Sequence, residues 1–140
     1  MQNEEFAHET AEEPAGAEQD RVVEAMRSIP RMSAVEEVDD KVRKYMLDLV
    51  TQTRSHDDIR LGGSPRASIA LFRTSQALAA IRGRNFVLPD DVKRLAVPVL
   101  AHRIILKPEA RLRKLNATRV VETILTDTAV PVPTTEAKTA

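Results

Sequence analysis

Polar and apolar positions follow a helical period over much of this chain. The cleanest stretch is "DDKVRKYMLDLVTQTR". There Val42, Tyr45, Met46, Leu49, Val50 and Thr53 fall at i, i+3, i+4, i+7, i+8 and i+11, which is one face of a helix. Asp39 is placed to cap its start, and Arg54 suits its negative end. Upstream, "EQDRVVEAMRSI" repeats the spacing with Val22, Val23, Met26 and Ile29, and Pro30 stops it. A third helix is predicted over "SPRASIALFRTSQALAAIRGR". Ser64 is the predicted cap, and Pro65 stands at the first helical position, where its missing N–H costs nothing. Ala67, Ala70, Leu71, Thr74, Leu78 and Ile81 form the expected buried stripe, and Gly83 is placed to end it in a left-handed turn.

A fourth helix opens at "LPDDVKRLAVPVLAHR", with Pro89, Asp90 and Asp91 as start signals. Val92, Leu95 and Ala96 are expected to face inward. Pro98 predicts a break or kink near Val97, because proline removes a helical donor and crowds the preceding turn. The fifth pattern is "NATRVVETILTD", with Asn116 as cap and Ala117, Val120, Val121, Ile124 and Leu125 packing. Three pieces between helices, "DIRLG", "NFVL" and "RIIL", are too short for helices, and two of them are expected to pair as a ribbon. The predicted fold is mainly α: a small helical bundle with short β strands.

Composition agrees with a helical core. Aromatic residues make up 3% of the 140 positions and hydrophobic residues 42%, so an aliphatic core must do the packing. The net charge is zero but unevenly spread. Residues 1–20 carry Glu4, Glu5, Glu9, Glu12, Glu13, Glu18 and Asp20 with no Lys or Arg. That composition predicts a disordered acidic tail over residues 1–17. Pro and Thr without periodicity predict a second disordered tail over 131–140. Further along, Arg103, Lys107, Arg111, Arg113, Lys114 and Arg119 face only Glu109. A solvated helix face explains that run more simply than a partner surface.

Other chemistry is excluded. The chain has no cysteine, which removes disulfides and thiolate metal sites and fits a cytoplasmic protein. No apolar run approaches a membrane span, and the start lacks the apolar centre of a signal peptide. There is no Walker-type G-x-x-x-x-G-K-[ST] loop and no G-x-S-x-G elbow. His8, His56 and His102 lie far apart. No metal site is expected, and "SHDD" at 55–58 reads as a turn. Capping is a sufficient role for Asp90 and Asp91.

One motif string goes further. Thr53-Arg54, Leu61-Gly62, Ser64-Pro65-Arg66-Ala67, Gly83-Arg84, Val87, Pro89, Asp91-Val92, and Leu100 with His102-Arg103 occur in that order. The string resembles the C-terminal lid domain of the MoxR family of AAA+ ATPases, in the magnesium-chelatase-like branch. The likeness covers residues 33 to about 128. Leu88 departs from it, since a capping Ser or Thr usually precedes Pro89, and loss of that cap costs roughly 1 kcal/mol. The ATPase core that precedes such a lid is the larger departure, so the chain looks like an excised lid or one that lost its motor. The resemblance implies a connecting helix over 18–32 and an AAA+ lid over 33–130.

The resemblance also implies a role for Arg66, as the sensor 2 arginine that reaches the γ-phosphate of ATP held by the motor domain. Ser64 and Pro65 set the start of its helix. ATP and Mg2+ then belong to the parent protein, and no complete active site is expected within this chain. The implied partners are the motor domain, neighbouring subunits of a ring, and a von Willebrand factor A protein, in a chaperone-like assembly machine. Sensor 2 in this branch is thought to serve a neighbouring subunit's site. Arg84 and Arg103 are expected in salt bridges or subunit contacts, and His102 as a structural hydrogen-bonder. Two alternatives stand beside this reading: a small nucleic-acid-binding module, which lacks aromatic stacking residues near its basic run, and a motor-less oligomerisation adaptor.

Overall fold

A computed structural model describes residues 16–28 and 38–132. The tail expectations, apart from Gly16, Ala17, Pro131 and Val132, fall outside those residues, as do Ile29 and Pro30. Six helices appear among the described residues, one more than the periodicity predicts. They are α1 (Ala17–Ser28), α2 (Asp40–Ser55), α3 (Pro65–Ile81), α4 (Pro89–Leu100), α5 (Pro108–Leu112) and α6 (Ala117–Asp127). Strand β1 (Ile59–Leu61) joins α2 to α3, and β2 (Ile105–Leu106) follows α4. α3 is central and packs against α1, α2 and α4, while α6 closes on α2 and α4.

All six apolar-face positions of α2 are buried. The Asp39 carboxylate accepts the Lys41 N–H at 2.8 Å, as a cap should. Met46, Leu49, Leu71, Val92 and Leu100 are fully enclosed at the centre. α1 joins the same core through Val22 and Met26. In α6, the Asn116 side chain accepts the Arg119 N–H at 2.9 Å, and Val120, Val121 and Ile124 are buried.

Three expectations need correction. The buried face of α3 is Ala67, Ser68, Leu71, Phe72, Ser75 and Ala79, not the stripe through Thr74, Leu78 and Ile81. Ile81 is 82% exposed. α3 is flanked on several sides, so small Ala and Ser side chains mark its closest approaches and apolarity alone misplaces the face. Next, α4 runs through Pro98 to Leu100 without a break, continuing into one 3-10 turn at Ala101–Arg103. Pro98 and Arg94 both lie on the exposed side, where water can serve the Arg94 carbonyl that proline leaves unbonded. Finally, α5 was too short to show a period: it is five residues opened by Pro108, with Ala110 as its one buried residue.

Two helices end in the same left-handed motif on different residues. After α3, Gly83 takes φ 73°, with Gly83 N–H to Ala80 O at 3.0 Å and Arg84 N–H to Ala79 O at 3.0 Å. After α5, Lys114 takes φ 61°, with Lys114 N–H to Arg111 O at 2.9 Å and Leu115 N–H to Ala110 O at 3.1 Å. A Cβ in that region is strained, so Lys114→Gly is expected to stabilise the fold by about 1 kcal/mol. A raised urea midpoint at unchanged slope is the check.

The expected ribbon forms from "DIRLG" and "RIIL", and "NFVL" takes no part in it. β1 and β2 run antiparallel, pairing Ile59 with Leu106 and Leu61 with Ile105. Two residues on β1 therefore advance against one on β2. Such a bulge re-aims side chains: Ile59 stays buried while Arg60 and Leu61 turn outward. That step places Arg60 beside the turn into α3.

Candidate functional site

The turn Gly62–Ser64 lies against the last turn of α2. Thr53 is fully buried there. Its hydroxyl donates to Val50 O at 2.5 Å and accepts the Gly63 N–H at 2.8 Å. Its neighbour Arg54 donates from Nε to Gly63 O at 2.8 Å. Gly62 is required by closeness, not by a left-handed backbone, and Gly63 sits in a tight but softer contact. A Cβ on Gly62 would sit 2.7 Å from the Arg54 Cα and from the Thr53 carbonyl carbon. A Cβ on Gly63 would meet Ala67 Cβ at 3.2 Å. Gly62→Ala is therefore expected to cost about 1–3 kcal/mol by overpacking against main chain, read as a lower urea midpoint.

Pro65 is the first residue of α3, as its sequence position predicts. Ser64 does not cap: its side chain makes no bond to the first turn, and Ala67 N–H goes to the Ser64 carbonyl at 2.9 Å. The Ser64 side chain is exposed. Arg66 is exposed in the first turn.

Around this turn lies an open groove of roughly 660 Å³. Its walls carry Arg54, Arg60, Arg66 and Arg103, and Glu18 of α1. Glu18 pairs with Arg54 at 3.4 Å. Arg60, Arg66 and Arg103 form no ion pair among the described residues. Three unpaired guanidinium groups and a helix N-terminus facing one groove favour an anion there. Arg103, expected in a salt bridge or a subunit contact, forms no salt bridge among the described residues. His102 is exposed and its side chain forms no hydrogen bond among them, contrary to its expected structural role.

A second groove, of about 670 Å³, runs between the start of α2 and residues 86–89. Its charges are already engaged, with Asp40 on Arg43 at 2.5 Å and Asp39 on the Lys41 amide. It lacks the convergent free cations of the α3 groove.

Arg84, expected in a salt bridge or a subunit contact, forms a salt bridge with Asp91, which sequence assigned only a capping role. Asp91 is fully buried. It accepts Arg84 Nη1 at 2.9 Å, Arg84 Nη2 at 2.6 Å and the Leu88 N–H at 2.8 Å. Arg84 also donates to Phe86 O at 3.0 Å and lies 5.6 Å from the Phe86 ring centre. Burial is the largest influence on the Asp91 carboxyl and pushes its pKa up. The Arg84 and Leu88 hydrogen bonds, with the charges of Arg84 and Arg82, together outweigh it and hold the pKa below the ordinary 3.8. The bond to Leu88 also answers the missing cap: Leu88 has no acceptor, so Asp91 supplies one half of a capping box alone. The α3–α4 connection is thus locked from inside.

His56 behaves as a turn residue, its Nδ1 accepting the Asp58 N–H at 3.1 Å. No group of three His, Cys, Asp or Glu able to hold a metal lies among the described residues. The basic run from Arg103 to Arg119 does not form one face. It is spread over the 3-10 turn, β2, α5 and the start of α6, and Arg113 pairs with Asp58. No helix among the described residues is long and apolar enough to cross a membrane.

A family model described as the AAA lid domain matches residues 51–124. That span contains the clamped turn, the groove's four arginines and the Arg84–Asp91 lock. The chain belongs to the AAA lid domain family. Its relatives place this lid in the MoxR-like branch. It is 42% identical over 94 residues to YeaC of Bacillus subtilis, covering 67% of this chain and 29% of YeaC. It is 30% identical over 96 residues to the chaperone MoxR1 of Mycobacterium tuberculosis, covering 62% of this chain and 26% of MoxR1. The crystal structure of a candidate ATPase from Cytophaga hutchinsonii superposes with a TM-score of 0.66 at 33% identity, over 70% of this lid and 32% of that chain. The lid thus spans less than a third of the length of each.

Sequence reasoning did not single out Arg60, and it gave Arg54 a dipole role and a place in the motif string but no contact with the turn. The usable signal was the co-occurrence of Thr53-Arg54 with the Gly-Gly-Ser-Pro-Arg turn ten residues on.

Proposed function

We propose that this lid supplies Arg66 to the γ-phosphate of ATP bound by an AAA+ motor domain, and so couples nucleotide state to lid movement. The carrying observation is an exposed guanidinium in the first turn of α3, on a clamped turn, in a groove with two further arginines, none of the three in an ion pair among the described residues. A guanidinium offers two parallel donors to phosphate oxygens. Loss of the γ-phosphate removes that contact and frees the lid to rotate. The Arg-lined groove suits the phosphates, while Mg2+ would take its ligands from the motor domain. The sensor works within a ring, on the subunit's own ATP or a neighbour's. The wider setting is a chaperone-like assembly machine in the cytoplasm, with a von Willebrand factor A protein as partner. These readings draw on the AAA lid family and on the MoxR names of its relatives.

The test is ATP hydrolysis by an assembled ATPase that carries this lid, with and without Arg66→Ala. Unchanged hydrolysis in a folded, assembled variant overturns the sensor role. Salt-sensitive micromolar binding of DNA by this chain would instead favour the nucleic-acid module.

A further inference from the structure

We infer that Thr53 and Arg54 are positioning residues for Arg66, and that their bonds to Gly63 fix the direction in which the Arg66 side chain leaves α3. The inference rests on the phosphate reading of Arg66 proposed above. Gly63 is the most permissive joint on the way into α3, since glycine lacks the steric limits of other residues. Its N–H belongs to one peptide plane and its C=O to the next. Thr53 holds the first at 2.8 Å and Arg54 holds the second at 2.8 Å. Two fixed planes on either side of one Cα set both dihedrals of that residue.

The rest of the path is stiff as well. Gly62 is pressed on the α2 main chain with no room for a Cβ. Pro65 has φ locked by its ring. Ser64 is restricted by the proline that follows it, and its carbonyl accepts the Ala67 N–H at 2.9 Å. The clamp is itself oriented: the Thr53 hydroxyl spends its hydrogen on Val50 O, so a lone pair faces the turn. Arg54 turns Nε to Gly63 and Nη1 to Glu18, which leaves the phosphate to Arg66. α3 is anchored separately, through Ala67 and Leu71 in the core. Releasing the clamp therefore loosens the turn and the first helical residues before it loosens the helix.

Three variants test this. Thr53→Val keeps the shape and removes the hydroxyl, Thr53→Ser restores it, and Arg54→Met keeps the stem and removes the Nε donor. In the 140-residue chain, ¹⁵N relaxation reads the Arg66 amide. Its order parameter is expected to fall from about 0.85 to below about 0.6 in Thr53→Val and Arg54→Met. Leu71 should stay rigid, and Thr53→Ser should match the parent chain. In an ATPase carrying the lid, Thr53→Val and Arg54→Met should each lower kcat at least about tenfold. Added to Arg66→Ala they should lower it no further, because residues acting through one group are not additive.

An unchanged Arg66 order parameter in both folded variants overturns the inference. So do equal losses of kcat with and without Arg66. If Thr53→Val does not fold, Arg54→Met carries the test. If Arg66→Ala alone leaves hydrolysis intact, the phosphate reading fails by itself, and the relaxation measurement still decides the positioning.

Discussion

Asp91→Ala is expected to destabilise the lid by about 3 kcal/mol, a large part of the 5–15 kcal/mol that holds a typical domain together. The carboxylate is fully buried and accepts three hydrogen bonds. Its loss leaves Arg84 facing an apolar interior without its counter-charge, and leaves the Leu88 N–H without an acceptor. The Arg84 side chain is 20% exposed, so it can partly turn to water, which keeps the effect at the low end of the range for breaking buried pairs. A urea midpoint lowered at constant slope is the check. A shift below about 1 kcal/mol would mean that the pair contributes little.

The same pair carries a pH signature. The folded Asp91 pKa is depressed, so its contribution is complete above the ordinary value of 3.8 and is lost as pH falls through the folded value. Asp91→Asn keeps the size but not the charge. Its stability deficit should be full at neutral pH and should narrow below about pH 4. A deficit that stays constant down to pH 2 would assign the effect to shape rather than charge.

Arg66→Ala is expected to reduce ATP hydrolysis by about a hundredfold in an assembled ATPase, the usual cost of removing one preorganised donor from a developing negative charge. The lid itself should hardly notice. Arg66 is exposed and without an ion pair among the described residues, so its melting behaviour should change by less than about 0.5 kcal/mol. Arg66→Lys keeps the charge but loses the planar fork, and should fall between the two. A hydrolysis defect with an unchanged melt separates a chemical role from a structural one. The contrast with Asp91 is then complete: one residue costs stability, the other costs rate.

Much of the fold was legible. α2 was read residue for residue, because its six apolar positions meet one continuous core and periodicity needs nothing else. The caps at Asp39 and Asn116 and the left-handed stop at Gly83 were equally local, each a matter of one side chain and the adjacent backbone. α3 was misread at Ile81 because a helix packed on several sides no longer has one apolar stripe. α5 was missed because five residues hold barely one period. A break at Pro98 did not follow, because its cost depends on whether the Arg94 carbonyl meets water, which is a fact about the surface.

The motif string identified the kind of lid, and the helix start placed Arg66 in a first turn. Sequence could not show that Thr53, Arg54 and Gly63 form one device, since they touch only when α2 and the turn are folded together. Nor could it show that Asp91 serves Leu88 and Arg84 at once, or that the β1 bulge turns Arg60 toward the α3 groove. By itself the sequence determined the five longer helices, the caps at Asp39 and Asn116, and the family. The tertiary structure alone decided which of the groove's arginines are engaged among the described residues, because pairing depends on distance in space and on burial, and neither is written in the order of residues.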